Sequence, residues 1–155
     1  MADRDQCEEL AHQLRGTFAV SREIGRRMPP QTPLTAVAVL SALDRHGELR
    51  SSDLTELLAV DLSVTSRHVA YGVERGWIER ASDPYDGRSR LLRLTAAGGD
   101  VLRASSTRAA EVLADHLADW PDDDVAQLSA LLARLRGSFG DHTPRTPRIS
   151  RVHAG

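Results

Sequence analysis

Apolar residues recur three or four positions apart along most of this chain, the spacing of helices with one buried face. Between residues 6 and 28 the stripe runs Leu10, Leu14, Phe18, Ser21, Ile24 and Met28. Pro29, Pro30 and Pro33 then break it, because a proline lacks the backbone N–H and clashes with the preceding turn. A second helix is predicted from Leu34 to His46, with Val37, Leu40 and Leu43 inward and Gly47 as its stop. Ser52 is placed to cap a short helix through Leu58, and Asp61 to cap another from Leu62 to about Arg75, which Gly76 ends. Two short helices separated by Ala59-Val60-Asp61 have the layout of a helix-turn-helix, although capped helix pairs also occur in plain bundles.

The pattern then changes. Trp77 to Ser82 and Leu91 to Leu94 read as strands, and Asp86-Gly87 between them is a hairpin-turn dipeptide, since both central residues must reach positive φ. A helix-turn-helix followed by a β-hairpin is a winged helix. Thr95 caps a long helix reaching about Ala118, with Leu102, Ala109, Leu113 and Leu117 as its stripe. Pro121 interrupts, and a last helix starts at Asp122 with Val125, Leu128, Leu132, Leu135 and Phe139 inward. The acids at 122–124 suit its positive N-terminus and need no metal to explain them. Gly140 to Gly155, rich in Pro, Thr and Arg, reads as a disordered tail. The expected fold is mainly α with a small β-hairpin wing.

Composition narrows the function. Of 155 residues 41% are apolar, too many for a disordered chain, and no run approaches the roughly 18 residues of a membrane span. The start, MADRDQCEEL, has no apolar core of a secretory signal, and the single cysteine cannot form an internal disulfide, so a cytoplasmic location is expected. Twenty basic residues, all arginine, face 22 acids, so no global positive field points to nucleic acid. Residues 45–93 carry eight arginines and eight acids, which predicts modest non-specific DNA affinity. No Gly-rich phosphate loop, nucleophile elbow or metal-binding histidine spacing is present. Neither an enzyme nor a cofactor or metal is expected.

The segments DPYDGR and LRLTAAG (Asp83 to Arg88, Leu91-Leu92 to Gly98) and LTAVAVLSALDRHGELR (Leu34 to Arg50) resemble the MarR family of bacterial transcription regulators. The likeness spans roughly residues 8–139, and the second stretch is similar to actinobacterial members. It implies one domain over residues 1–140: a winged-helix DNA-binding lobe at about 31–94, and dimerisation helices at about 6–28 and 95–139. It further implies a homodimeric repressor of double-stranded DNA, released by a small aromatic or phenolic effector. Residues 141–155 would be the tail.

Within that frame, Ser63, Ser66, Arg67, Ala70 and Glu74 fall on one face of the recognition helix. Arg67 matches the family's basic residue, and arginine suits guanine O6 and N7. Arg88 is expected in the minor groove, held by Asp86, with Ser89 and Arg90 as helpers. Tyr71 is open between DNA contact and packing, and Asp83 and Asp86 read as structural. Two departures from the family pattern, Gly72 and Thr65 where larger apolar residues are usual, suggest a softened or rotated helix. A sensing pocket would draw on His12, Arg15, Phe18, His116 and Trp120. Redox sensing fits poorly, because the reactive cysteine of the hydroperoxide-sensing branch falls at Arg15, and Cys7 has Glu8 and Glu9 beside it. The rival reading is a winged-helix protein–protein interaction module without DNA binding, suggested by the neutral lobe and by Gly72.

Overall fold

The computed structural model describes residues 3–85 and 90–139. Its elements are α1 (Arg4–Arg26), α2 (Leu34–His46), β1 (Leu49–Arg50), α3 (Ser51–Leu58), α4 (Leu62–Glu74), β2 (Ile78–Ser82), β3 (Arg90–Leu94), α5 (Ala96–His116) and α6 (Asp122–Ser138). Gly47 (φ +76°) and Gly76 (φ +74°) end α2 and α4 in the left-handed region that side chains avoid. The turn between α3 and α4 puts Ala59 at φ 50°, ψ 41°, at a cost of about 1–2 kcal/mol for a residue with a Cβ.

Two of the expected caps are different. α3 begins at Ser51, and the group that closes its first turn is Asp53, not Ser52: Asp53 Oδ2 accepts the Arg50 N–H at 2.9 Å. A carboxylate three residues into the helix reaches back further than the Ser52 hydroxyl can. Asp61 does hold the N-cap position of α4 with extended backbone, but its side chain makes no capping bond; its carbonyl takes the N–H groups of Val64 and Thr65 at 3.0 Å.

The sheet is antiparallel in the order β1-β3-β2, with Leu49 opposite Leu92 and Ile78 opposite Leu94. β1 was not expected, because two residues carry no readable period. Where the sheet meets α5, Thr95 makes three bonds. Its Oγ1 accepts the Gly98 N–H at 3.1 Å as a true N-cap and donates to Gly76 O at 2.6 Å, while its own N–H donates to Trp77 O at 3.0 Å. A Cβ on Gly98 would stand 2.2 Å from Trp77 O and 2.7 Å from Leu94 Cδ1. The Leu94-Thr95-Ala96-Ala97-Gly98 stretch is therefore a joint: the threonine fastens, and the glycine lets helix and strand touch.

The core lies between α2, α3, α4 and the sheet, built from Val39, Leu40, Leu43, Leu54, Val69 and Leu92, with Leu49, Trp77 and Ile78 closing it. The outer helices contradict the inward assignments. α1 and α6 contain no buried residue; Phe18 is 71% and Phe139 76% exposed, and Leu10, Leu128 and Leu132 are also exposed. Only Leu14, Ile24, Val125 and Leu135 of those two stripes are half-buried, though Met28, just past α1, is buried. Periodicity tells which face is apolar but not which chain covers it. On α5 the buried line runs Gly98, Ser105 and Val112, beside the half-buried Leu102 and Ala109, while Leu113 is exposed; the helix stops at His116, short of Ala118.

Two stability changes follow from these contacts. Gly98→Ala is expected to cost at least about 1–3 kcal/mol by forcing α5 off the Trp77 carbonyl, read as a lower denaturant midpoint. Thr65 is 0% exposed and its Oγ1 has no hydrogen-bond partner among the described residues. Thr65→Val, of like shape, is expected to raise stability by about 1 kcal/mol in the same unfolding assay.

Candidate DNA-contacting surface

α4 is the second helix of the helix-turn-helix, and its two faces separate cleanly. Thr65, Val69 and Gly72 are buried, whereas Ser63, Ser66, Arg67, Ala70 and Glu74 are all exposed. The two departures from the family pattern both lie on the inner face. A Cβ on Gly72 would be 2.6 Å from Ile78 Cδ1, so the isoleucine of β2 fills the volume that a larger residue on α4 would take. The helix is not rotated; the missing side chain has been exchanged for one from the strand.

Arg67 makes no ion pair or side-chain hydrogen bond with a described residue. Beside it, burial first and the Arg67 charge second hold the His68 imidazole below its ordinary pKa, which keeps this part of the helix from gaining a second cation near neutral pH. Ser63 and Ser66 sit in the first turns, where hydroxyls and backbone N–H groups suit phosphate oxygens. Tyr71 has a different environment. Its hydroxyl donates to Gln31 O at 2.7 Å, and its ring meets Trp77 edge-on at 5.8 Å with the Arg75 guanidinium 4.5 Å above it. Those contacts pack Tyr71 against its own chain.

At the wing, Arg90 is exposed and its Nη1 donates to Ser82 Oγ at 2.9 Å. Asp86, Gly87, Arg88 and Ser89 lie outside the described residues, as does the tail from Gly140. Asp83 is structural, as expected, but its partner is one that short-range reading could not find. It is 4% exposed and accepts from Arg50, 33 residues earlier, at 2.9 Å (Nε) and 2.5 Å (Nη2).

The even charge count of residues 45–93 hides how those charges are spent. Glu48 and Glu79 both pair with Arg93 on the sheet, raising that guanidinium's pKa, chiefly through its hydrogen bond and charge contact with Glu48. Asp83 is taken by Arg50. Arg75 and Arg80, which the sequence reading passed over, are exposed and form no ion pair with a described residue. Only a count of charges, not a motif, pointed to them.

None of the grooves among the described residues is lined by all five candidate effector residues. Trp120 lines a groove of about 610 Å³ with Leu113, Leu117 and Val125 where α5 turns into α6. His12, Arg15 and Phe18 are exposed on α1, outside that groove; His116, with Nδ1 2.8 Å from Val112 O, is also exposed and outside it. Among the described residues no group of three or more His, Cys, Asp or Glu side chains is placed to hold a metal, and no helix is long and apolar enough to cross a membrane. Cys7 is exposed.

Comparison with known proteins agrees with this geometry. The family model described as MarR family matches residues 31–89, from the loop before α2 to the residue before β3. An HTH-type transcriptional regulator of Bacillus subtilis, YxaD, is 32% identical over 66% of this chain and 72% of its own length. The multiple antibiotic resistance protein MarR of Salmonella typhimurium is 30% identical over 69% of this chain and 75% of its own. The crystal structure of the PcaV transcriptional regulator from Streptomyces coelicolor, in complex with its natural ligand, superposes with a TM-score of 0.64 at 28% identity, covering 90% of this chain and 99% of that one. With helix-turn-helix, wing and relatives in agreement, this chain belongs to the MarR family: it is a winged-helix transcriptional regulator, not an enzyme.

Proposed function

We propose that this regulator is a cytoplasmic homodimer that binds a pseudo-palindromic operator, with α4 of each copy in successive major grooves and each wing in the flanking minor groove. The observation that carries the reading is the outer face of α4, where Arg67 is exposed with no ion pair among the described residues, while Glu48, Glu79 and Asp83 are paired with Arg93 and Arg50. Ser63 and Ser66 position the helix on phosphates, and Arg67 reads a base edge. Arg88 reads the minor groove from the wing, with Ser89 and Arg90 on the adjoining backbone. The DNA-binding lobe is residues 31–94, and residues 6–28 and 95–139 form the dimer.

The dimer reading is supported by the outer helices. A monomer would leave Leu10, Phe18, Leu128, Leu131, Leu132 and Phe139 in water. Covering such faces is worth roughly 25 cal/mol per Å² of apolar area, and a second copy brings the complementary helices. Response to a small molecule is supported by likeness to PcaV, whose structure holds its natural ligand; we propose an aromatic or phenolic one that relieves repression. Trp120 is the candidate residue that already lines a groove, and His12, Arg15, Phe18 and His116 would join a pocket through the assembled dimer.

Fluorescence anisotropy with a DNA segment from upstream of the regulator's own gene tests the first part. Tight binding that resists scrambled competitor and weakens as salt rises is expected. Arg67→Ala and Arg88→Ala should each weaken it by about 1–3 kcal/mol. Salt-independent or absent binding by an intact dimer, repeated across DNA recovered from the whole genome, would instead favour the protein-interaction reading. For assembly, Leu128→Glu combined with Leu132→Glu should convert a dimer to a monomer in size-exclusion chromatography with light scattering, and operator binding should fall with it. A wild-type chain that runs as a monomer at micromolar concentration would defeat the dimer model.

A further inference from the structure

We infer that the Arg50–Asp83 ion pair is a positioning device that fixes the wing's direction relative to the helix-turn-helix, making Arg50 a determinant of operator recognition that acts through the wing root. The inference rests on the DNA-binding reading above.

Four linked contacts carry it. Arg50 is both the end of β1 and the N-cap of α3, so its backbone belongs to the helix-turn-helix. Its N–H is held by Asp53 Oδ2 at 2.9 Å, which locks the residue to the first turn of α3. Its guanidinium then crosses to Asp83, where Nε and Nη2 both reach Oδ2. Asp83 follows directly on β2, and its other oxygen, Oδ1, accepts the Tyr85 N–H at 2.8 Å. A continuous chain of bonds thus runs from α3 to the backbone that leaves the sheet for the wing.

Burial gives the pair its stiffness. The Asp83 side chain is only 3% exposed, so a charged carboxylate there depends on the cation that meets it. The Arg50 guanidinium is rigid and planar, and lysine could not reproduce two donors in one plane. Asp83 also divides its work between its two oxygens: one holds Arg50, and the other shapes the turn through Pro84 to Tyr85. Tyr85 is itself exposed, so its side chain is not what fixes the course of the backbone at the end of β2. A buried pair that tied α3 to the sheet for stability alone would not need the second oxygen on the Tyr85 backbone.

The stability role and the positioning role can be separated. Arg50→Met alone takes the cation from a buried carboxylate and lowers the unfolding midpoint. Arg50→Met combined with Asp83→Leu replaces the pair by apolar side chains of similar size, an exchange that commonly keeps stability. Affinity for the operator established with wild-type protein, thermal unfolding and hydroxyl-radical footprints are measured for both variants. The double variant is expected to unfold near the wild-type temperature yet bind at least about tenfold more weakly, with protection lost at the outer flank of each half-site and retained at its centre. Arg50→Lys should recover only part of the affinity.

Wild-type affinity in the double variant would overturn the inference, as would a footprint that fades evenly from centre to flank. Failure of the underlying reading looks different: the wild-type protein itself would not bind the operator, and no variant comparison would arise.

Discussion

The contact between the start of α5 and the carbonyl of Trp77 governs how the parts of this regulator are arranged. Trp77 follows the recognition helix directly and leads into the wing, and Thr95 is the first residue beyond the wing. Joining them closes the hairpin into a loop with its two ends fixed on each other. Thr95 supplies two hydrogen bonds to that closure and a third that caps α5, and Gly98 removes the Cβ that would hold the helix away. Since α5 also packs along α2, the same joint sets the direction in which the long helix leaves the winged helix.

A second theme is how the lobe places opposite charges. A neutral count over residues 45–93 is compatible with a DNA-binding surface because the acids and bases are sorted. Arg93 bridges Glu48 and Glu79 across the sheet, and Arg50 takes Asp83 into a nearly dry site. What is left outward on α4 includes Arg67, which has no ion pair among the described residues, though Glu74 shares its face. Such sorting favours selective over indiscriminate binding.

The inner face of α4 shows packing traded between elements. Gly72 weakens the helix by about 1 kcal/mol relative to alanine on propensity alone. Ile78 from β2 occupies the space, and Tyr71, Trp77 and Arg75 stack at the end of the helix. The helix gives up local preference and gains a close strand beneath it. That exchange keeps the exposed face where the helical spacing predicted it.

Much of this protein was legible in the chain itself, and each legible part rests on an interaction between near neighbours. Helix stripes, the glycine stops at 47 and 76, the helix-turn-helix, the strands of the wing and the Thr95 cap all depend on residues a few positions apart, which a linear reading can see. The face of α4 carrying Ser63, Ser66 and Arg67 follows from the same periodicity. Other features required the chain to be folded. The pairing of Arg50 with Asp83, the hold of Gln31 on Tyr71 and the filling of Gly72 by Ile78 join residues separated by 33, 40 and 6 positions through space, with no local pattern to announce them. Which helices would be covered also lay beyond the sequence: α1 and α6 are as clearly amphipathic as α2, yet only α2 is buried by its own chain. An apolar stripe states that burial is favourable, and only the tertiary arrangement decides whether this chain supplies the covering surface.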